Sequence, residues 1–543
     1  MSESFSDILE NSFQNPPKYT EIQAGVPEDY KDIKTLRDLL SINYKLLRSK
    51  DQLRKNLINL IKNGESKYPG IIGFEEDVIP SLDRAILSGH DIFLVGQIGQ
   101  AKTKLVETIA KTLLSPIPVI KDSLTNDCPF DLPQSYLLSL LDDNEPDLEQ
   151  PVFYISPESE KKIRDYKLDT PIQWKEGTSR YRYILATPDI SVKDLVGYID
   201  AIKVAKKGVE MYKIESYSPG QLMQAKHGIL CIDELPVLDP RKQVALLSVL
   251  QEGRFTTGSY PIIFKPQTSF FATANPIDYT HSGKIIEPLY DRLKSHIHTH
   301  YPASIEDEMA IILQEIQIPQ SAFIPLPILK LLTQIVRATR NDPQINQEKG
   351  VSVRLGIHGL ELLIAEAERC RSIPKNLKPV PRLSDLHCLD QVAKFELMEL
   401  DDTIENRKKV FGDIVQSCVK ENGLKYLEGM DESVLNSIKE EFKEKSFSIS
   451  QVNLWSNGEY SYQKQLESFP NLKKLIDSKY ETIKSEQEEA QPLFESRNIS
   501  TYNISIDEVD TELRSVITEI ILESLCWTQP KILDKREYKY VAA

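Results

Sequence analysis

Two short segments of the chain carry the residue types that phosphate chemistry needs. In the first, Gly96 and Gly99 precede Lys102 and Thr103. Glycines let backbone N–H groups turn toward phosphate oxygens, a lysine then reaches the β- and γ-phosphates, and a threonine hydroxyl binds Mg²⁺. In the second, the apolar run from Ile229 to Ile232 ends in Asp233 and Glu234. Carboxylates at the end of a buried strand are costly unless they serve a metal or a partner.

Together the two segments predict a site that hydrolyses a nucleotide. Asp233 would bind Mg²⁺ and Glu234 would orient and polarise the attacking water. The glycine loop departs from the usual pattern G-x-x-x-x-G-K-[ST], because Ala101 stands where the second glycine is expected. Taken alone, the loop is also compatible with an ordinary turn between a strand and a helix. The Asp-Glu strand that follows it makes the hydrolase interpretation the stronger one.

The neighbouring residues predict the elements that position this chemistry. Apolar residues 92–95 precede the loop as a strand, and a helical pattern begins at Lys102. The N-terminus of that helix would direct its partial positive charge at the phosphates. A further helix is expected from Asp239-Pro240, followed by a hairpin that turns at Thr257-Gly258.

Composition and charge indicate an ordinary globular protein with several structural units. Of 543 residues, 40% are hydrophobic and 27% are charged, and the length predicts about three units. The net charge of −15 disfavours nonspecific binding to nucleic acid. Six scattered cysteines indicate a reducing compartment. Because no signal-peptide pattern and no run of about 18 apolar residues occurs, we expect a cytoplasmic protein without a membrane span.

The phrases around both motifs resemble a known family. PGIIGFEED and AILSGHDIFLVGQIGQAKT are similar to the start of an AAA+ module of the MoxR and magnesium-chelatase subunit I type, whose loops often carry Ala-Lys before Ser or Thr. ELPVLDPRKQVALLSVLQEGRF and TANPIDYTHSGKIIEPLYDRLKSHIHTHYP look like a longer magnesium-chelatase-like branch. The resemblance implies an α/β P-loop core with a parallel sheet flanked by helices, an all-α lid, and helical N- and C-terminal extensions.

The resemblance also assigns a nucleotide site to the chain. It places the adenine pocket at Ile71-Ile72-Gly73, and Ile98 stands where the family commonly has proline. Thr103 and Asp233 are the expected Mg²⁺ ligands. The residues expected to contact ATP are Ile71, Ile72, Gly73, Gly96, Gln97, Ile98, Gly99, Gln100, Ala101, Lys102, Thr103 and Lys104.

Three more residues take catalytic roles beside Glu234 from the same resemblance. Asn275 matches the sensor-1 position and would hold water against the γ-phosphate; alternatively it only begins a turn. Arg292 matches an arginine finger that reaches the neighbouring subunit's ATP, an effect on the order of 10³-fold or more in rate. Its alternative is a surface salt bridge worth about 1 kcal/mol at most. Arg354 matches the sensor-2 arginine of the lid. The sequence does not distinguish cis from trans action for either arginine.

Three alternating histidines offer a competing metal site. His296, His298 and His300 would share one face of a strand, which is compatible with metal binding. No nearby cysteine or carboxylate completes a ligand set, so a half-buried strand is the stronger interpretation.

We expect four regions along the chain. The segment at about 115–180 should be an irregular insertion. A helix-2 insert at about 190–220 should form a hairpin that turns at Lys207-Gly208. By the resemblance this hairpin would face the pore of a ring; alternatively it faces only solvent. Ser384 or Asp385 should cap the closing lid helix, and a basic tail should end the chain. The regions are 1–65, a polar arm with amphipathic helices; 66–304, the AAA+ core; 305–400, the lid; and 401–543, a mainly helical extension.

The expected function is that of an ATP-hydrolysing ring, a hexamer, that drives a chaperone or metal-insertion reaction. By analogy its partner would carry a von Willebrand A domain, and its client is not identified by the sequence. The alternatives are a true magnesium chelatase ATPase subunit and a nucleotide-binding scaffold that does not hydrolyse ATP. A transcription activator is disfavoured because the insert lacks Gly-Ala-Phe-Thr-Gly-Ala.

Overall fold

The computed structural model divides into two compact units that meet in sequence at His300 and Tyr301. The polar arm up to residue 20 and the predicted turns at Lys207-Gly208 and Thr257-Gly258 lie outside the described residues. The structure describes residues 21–23, 25–145, 152–200, 202, 204–205, 216–256, 263–276, 285–317, 322–398, 402–449, 462–495 and 504–543.

A parallel five-stranded sheet forms the centre of the first unit. The strands are β1 (Ile92–Val95), β2 (Tyr181–Leu185), β3 (Ile229–Asp233), β4 (Ser269–Ala274) and β5 (Ser295–His298). Their spatial order is β5-β1-β4-β3-β2. Val95 lies opposite both Ala274 and His298, so the carboxyl ends of β1, β4 and β5 lie at one edge of the sheet. Strands β1 and β4 are buried along their whole length, as expected for parallel strands covered on both faces.

Helices cover both faces of this sheet, which confirms the predicted α/β core. One apolar cluster joins β1 to helix α1 (Lys102–Leu113) and to helices Val78–Leu87 and Ser49–Asn63. A second cluster covers the opposite face. Its helices are Val192–Val196, Gln221–Gln224, α2 (Pro240–Glu252) and α3 (Glu287–Arg292).

The amphipathic pattern near the N-terminus is confirmed as two helices, Leu36–Ser41 and Ser49–Asn63. Leu53 and Leu57 of the second helix pack into the cluster beside β1. A 3₁₀-helix, Tyr30–Asp32, precedes them, and Glu21–Gln23 pairs with Val26–Pro27.

The segment at 115–180 is not irregular, which corrects the prediction. Ile117–Ile120 pairs antiparallel with Ile172–Lys175, and Pro118 is accommodated because this strand has a ladder on one side only. The segment shares a core with Leu36–Ser41. Its other elements are helices Gln134–Leu141 and Pro157–Tyr166, 3₁₀-helices Pro129–Asp131, Lys167–Asp169 and Gly177–Arg180, and strand Val152–Phe153, which pairs with Ile263–Phe264.

The arms of both predicted hairpins pair as expected. Tyr198–Ile199 pairs antiparallel with Tyr217–Ser218 in the 190–220 segment. Phe255 forms an antiparallel bridge with Phe264 on either side of the segment that contains Thr257-Gly258. Helix α2 begins where predicted, because the Asp239 carboxylate accepts hydrogen bonds from two N–H groups of its first turn.

The second unit begins with helices, as predicted for a lid. Helix Arg354–Ala367 continues into a π-helical turn, Glu368–Ser372, and a short helix, Ile373–Lys375. The predicted closing lid helix is present at Leu383–Gln391, but it is a 3₁₀-helix rather than an α-helix. Of the two proposed caps, Asp385 accepts a hydrogen bond from the Arg382 amide at 2.8 Å, as in a capping box, and also pairs with Arg371. The Ser384 amide instead donates to Glu519. The preceding helices are Ile305–Glu315 and Leu326–Asn341.

The C-terminal part of the second unit contains a small sheet beside its helices. The predicted basic tail is instead a hairpin of Leu533–Arg536 and Lys539–Ala542, to which Phe447–Ser448 adds a third strand. Glu537 has φ +53°, which a tight two-residue turn requires. The helices are Ile404–Lys425, Glu432–Glu441, Tyr462–Leu466, Pro470–Glu495 and Asp510–Leu525, with a 3₁₀ turn at Ile506–Val509. None of the helices in the described part has both the length and the apolar composition needed to cross a membrane.

Candidate active site

The predicted phosphate loop connects β1 to α1 at the carboxyl edge of the sheet. The Gly96 amide donates to the Ala274 carbonyl at 3.1 Å, which ties the loop to the end of β4. Gly99 has φ +79° and Ala101 has φ +51°. A left-handed residue with a Cβ costs roughly 1–2 kcal/mol, which explains why glycine is the usual residue at the Ala101 position.

Lys102 begins α1 and turns its side chain back into the loop. Its ammonium donates to the carbonyl oxygens of Gly96 and, at 2.9 Å, of Gln97. The cation and the N-terminus of α1 therefore face the same loop. Gln97 and Gly99 are half-buried, as is Lys104, whereas Ile98 is 48% exposed, so a proline is not required there for packing.

The loop is also held by the residue that follows β5. Gln100 is buried, and its amide oxygen accepts a hydrogen bond from the Thr299 hydroxyl at 2.8 Å. A Cβ on Gly96 would overlap both of these side chains, so only glycine fits. Thr299 was missed by the sequence-based prediction, because a buried threonine after a strand gives no distinguishing pattern.

The proposed adenine segment lies beside the same edge. Ile71 belongs to the apolar cluster that contains β1 and α1, while Ile72 and Gly73 are half-buried. Phe74, the next residue, packs edge-on against the His300 ring at a centroid distance of 5.2 Å. His300 directly follows Thr299, so the segment adjoins the phosphate loop through the end of β5.

The two predicted metal ligands meet at the end of β3. The Thr103 hydroxyl lies 3.3 Å from Oδ2 of Asp233. The same oxygen accepts a hydrogen bond from the Tyr183 hydroxyl at 2.7 Å, and Oδ1 accepts one from Thr273. Burial, together with the hydrogen bond to Asp233, raises the pKa of Tyr183 well above its ordinary value, so this hydroxyl stays protonated as a donor. Three hydroxyl groups thus surround one carboxylate.

Glu234 leaves the strand in an uncommon conformation. Its φ of +56° and ψ of +44° lie in the left-handed region, and the 3₁₀-helix Leu235–Val237 follows at once. Its amide donates to the Thr273 hydroxyl at 3.1 Å. Thr273 therefore fixes the backbone of Glu234 and the side chain of Asp233 together. A strained non-glycine residue held by its surroundings is typical of functional sites.

Asn275 is half-buried and directly follows β4. Because Ala274 pairs with Val95 and receives the Gly96 amide, Asn275 is placed beside the start of the phosphate loop. The first unit therefore brings together the loop, Asp233, Glu234 and Asn275 at one edge of the sheet.

The two predicted arginines lie on helices, one in each unit. Arg292 ends α3, and its guanidinium donates to Oε1 of Gln251 at 2.9 and 3.2 Å and to the Pro288 carbonyl at 2.8 Å. Among the described residues, the hydrogen-bond partners of this guanidinium are thus an amide oxygen and a carbonyl oxygen. Arg354 is exposed and begins helix Arg354–Ala367 in the second unit. Its role remains a prediction.

The donor chemistry at Asp233 fits Mg²⁺. Carboxylate and hydroxyl oxygens are the ligands that this hard cation takes from proteins, usually one or two of them beside water and phosphate oxygens. Thr103 and Asp233 supply one oxygen of each kind, and Lys102 supplies the cation that phosphates require. Neither Tyr183 nor Thr273 was identified from the sequence.

A buried ionic network anchors the start of β3. The Lys226 ammonium lies 3.3 Å from Asp127 and 2.7 Å from Asp131, and His227 lies 2.7 Å from Asp131. Although burial opposes ionisation, the charges of His227 and Lys226 lower the pKa of Asp131 to about 2. The network joins the 115–180 segment to the strand that ends in Asp233 and Glu234.

The histidine strand is confirmed as β5. His296 packs edge-on against Phe93 and Tyr290 at centroid distances of 5.5 and 4.2 Å. His300 contacts Asp77 at 3.1 Å. These two histidines thus contact different elements.

Comparison with known proteins supports the class of fold. Residues 173–293 match the family described as AAA domain (dynein-related subfamily). These residues include β2, β3 and β4, with Asp233, Glu234, Asn275 and Arg292. With the parallel sheet flanked by helices, the match shows that the first unit has the α/β core of an AAA+ protein.

Individual relatives are distant. The uncharacterized protein YeaC of Bacillus subtilis is 25% identical over 194 residues, which are 32% of this chain and 57% of that protein, so this chain spans little more than half of its length. A structure of the magnesium chelatase complex of BchI and BchD is 20% identical over 45% of this chain and 64% of that chain, with a TM-score of 0.30. NtrX of Brucella abortus in complex with ATP is 12% identical over 70% and 71%, with a TM-score of 0.33. Likenesses this weak add nothing to the functional assignment, which depends on the residues of this chain.

Proposed function

We propose that this protein is an AAA+ ATPase that hydrolyses ATP at the site formed by the phosphate loop and the end of β3. The observation that carries this proposal is the contact between Thr103 and Asp233, with Glu234 directly beside it. Thr103 and Asp233 are 130 positions apart in the sequence, and their contact brings the phosphate loop next to the strand end that carries the proposed base, Glu234.

Each residue has a distinct role in the proposed reaction. Lys102 and the loop amides bind and orient the phosphates. Mg²⁺ held by Thr103 and Asp233 would supply neutralising charge to the β- and γ-phosphate oxygens. Glu234 orients the attacking water and accepts its proton, and Asn275 keeps that water in line with the γ-phosphorus. Glu234 is exposed, so water from solvent has access to this residue.

We also propose that the active form is a ring in which Arg292 acts on a neighbouring subunit. Gln251 and the Pro288 carbonyl hold the guanidinium at the end of α3 and use only part of its five N–H donors. A pre-oriented cation at a surface position is what a finger in trans needs. Arg354 is proposed as the matching lid arginine. The cis or trans role of each arginine is a matter for mixing experiments.

The finer assignment rests on the sequence resemblance to the MoxR and magnesium-chelatase-like branch. We propose a cytoplasmic hexamer with a von Willebrand A-domain partner, in which the 190–220 segment transmits force to a client protein. The proposed regions are 1–65, 66–304, 305–400 and 401–543. A true magnesium chelatase subunit and a scaffold that binds but does not hydrolyse nucleotide are the competing assignments.

Calorimetric titration with Mg·ATP tests the nucleotide site. Lys102→Ala should abolish measurable binding, because the loop loses the cation that offsets the phosphate charge. Lys111→Ala is the matched control, since Lys111 is an exposed lysine on the same helix, α1, and lies away from the loop. Wild-type affinity in Lys102→Ala would refute the site. Binding by the wild type without any release of phosphate would favour the scaffold.

A further inference from the structure

Tyr183 contacts the metal-binding carboxylate although no sequence motif marks it. We propose that Tyr183 is a positioning residue that orients Asp233 for Mg²⁺, an inference that rests on the function proposed above. Its hydroxyl donates to Oδ2 of Asp233 at 2.7 Å, the range of a strong hydrogen bond to a charged acceptor. The Thr103 hydroxyl lies at 3.3 Å from the same oxygen, which is a much weaker contact.

The register of the sheet explains how Tyr183 reaches this carboxylate. Tyr183 on β2 lies opposite Cys231 on β3. Cys231 and Asp233 are two residues apart and therefore share a face of the sheet. That face is the one covered by α1, because Cys231 belongs to the same apolar cluster as Leu105. The long tyrosine side chain extends along this face to the end of β3, where Thr103 also contacts Asp233.

Packing alone does not account for a tyrosine at this position. β2 is an edge strand, and Tyr183 is 44% exposed. A phenylalanine would provide the same ring. What the hydroxyl adds is one directed hydrogen bond to the carboxylate.

Tyr183 and Thr273 hold the carboxylate from its two sides. Thr273 donates to Oδ1 and Tyr183 donates to Oδ2. Rotation of the carboxylate about its bond to Cβ is thereby opposed at both oxygens. A carboxylate has about four lone-pair sites, so Oδ2 keeps one for the Thr103 side, where the cation is expected. Thr273 also accepts from the Glu234 amide, whereas the hydrogen bond of Tyr183 reaches Asp233 alone.

This difference gives Tyr183 a specific signature. Loss of its hydroxyl should weaken the contribution of Mg²⁺ to nucleotide binding, while the contribution of the phosphate loop stays unchanged. Residues that orient a metal ligand typically change metal affinity by about 10- to 100-fold, and we expect the lower end because Tyr183 is partly solvated. Tyr183→Phe should therefore require about 10-fold more Mg²⁺ for half-maximal turnover at saturating ATP.

Binding of a fluorescent ATP analogue, measured in excess Mg²⁺ and in EDTA, tests the proposal without relying on turnover. The factor by which Mg²⁺ tightens binding should fall about 10-fold in Tyr183→Phe, while the affinity in EDTA and the melting temperature stay at wild-type values. Tyr181→Phe is the matched control: Tyr181 lies two residues earlier on the same face of β2, opposite Ile229 and away from the end of β3. Its Mg²⁺ factor should remain that of the wild type.

A second variant keeps the test decisive. Thr273→Val removes the donor to Oδ1 of Asp233 and should also lower the Mg²⁺ factor. It should in addition slow turnover at saturating Mg²⁺, because the backbone amide of Glu234 loses the hydroxyl to which it donates. An unchanged Mg²⁺ factor in Tyr183→Phe would overturn the positioning role. So would a variant in which the affinity in Mg²⁺, the affinity in EDTA and the melting temperature all fall together. A wild type that binds no nucleotide would instead refute the proposed function itself.

Discussion

Lys226→Met should destabilise the first unit strongly through the buried network at the start of β3. The Lys226 side chain is 2% exposed and lies between carboxylates that are 0% and 3% exposed. Methionine keeps the volume and removes the charge. Because Asp127 and Asp131 then lose the ammonium group that lies within 3.3 Å of both buried carboxylates, we expect a loss of about 3–5 kcal/mol in the free energy of unfolding. For a unit of this size, each kcal/mol lowers the melting temperature by roughly 2 °C.

The pH dependence of this loss is a second, independent expectation. The pKa of Asp131 is lowered from 3.8 to about 2 in the folded protein. A lowered pKa gives stability that is complete above the unfolded value and is lost as the pH falls from about 4 toward 2. At about 1.4 kcal/mol for each pKa unit, this contribution is roughly 2–3 kcal/mol. Lys226→Met removes part of the lowering, so the difference between wild type and variant should narrow as the pH falls through that range.

Thermal unfolding followed by circular dichroism from neutral pH to the acid limit of the folded state measures both expectations. Lys162→Met is the matched control, because Lys162 pairs at 3.5 Å with Asp122, whose side chain is 73% exposed. A surface pair of this kind should contribute about 1 kcal/mol or less. An unchanged melting temperature in Lys226→Met, or a difference that grows toward acid, would refute the reasoning.

Two further substitutions probe other parts of the account. Arg292→Ala should keep ATP affinity but lose turnover on the order of 10³-fold or more, whereas Arg254→Ala, which removes an exposed pair with Glu252, should keep wild-type turnover. Partial recovery of turnover on mixing Arg292→Ala with wild-type protein would indicate that the arginine acts in trans. Unchanged turnover in Arg292→Ala would exclude an arginine finger at this position. Gly228→Ala should destabilise the first unit by several kcal/mol, on the order of an overpacked core, because the added Cβ would overlap the Arg180 carbonyl. Gly412→Ala is the control: this glycine lies in a helix where a Cβ meets nothing within 4 Å, so the change should be neutral or stabilising. Equal melting temperatures for the two variants would contradict the packing at Gly228.

The central strands were predictable because their signals are local. β1, β3 and β4 are short apolar runs that end in glycine or polar residues, which is the pattern of buried parallel strands. The prediction of Asp233 and Glu234 at the end of β3 came from the same pattern, whereas the role predicted for Asn275 came from the family resemblance. Ala101, which departs from the usual motif, has the left-handed conformation that favours glycine, and alanine tolerates this conformation at a modest energetic cost.

The edge strand and the 115–180 segment were harder to predict for a physical reason. β2 is only partly buried, so its residues alternate weakly between apolar and polar. In the 115–180 segment, prolines and acidic residues hide short strands whose pairing depends on residues more than 50 positions away. Tyr183 and Thr273 could not be identified without the register of β2, β3 and β4, because their roles arise from contact across strands.

Phosphate release from ATP by purified wild-type and Glu234→Gln proteins is the most direct test of the central claim. Glutamine keeps the size of the side chain but cannot accept a proton, so turnover should fall by about 10²- to 10⁴-fold while ATP binding is retained. Glu252→Gln is the matched control, an exposed glutamate that pairs with Arg254 and should have wild-type turnover. Equal turnover in Glu234→Gln and wild type would contradict the assignment of this site as an ATPase centre.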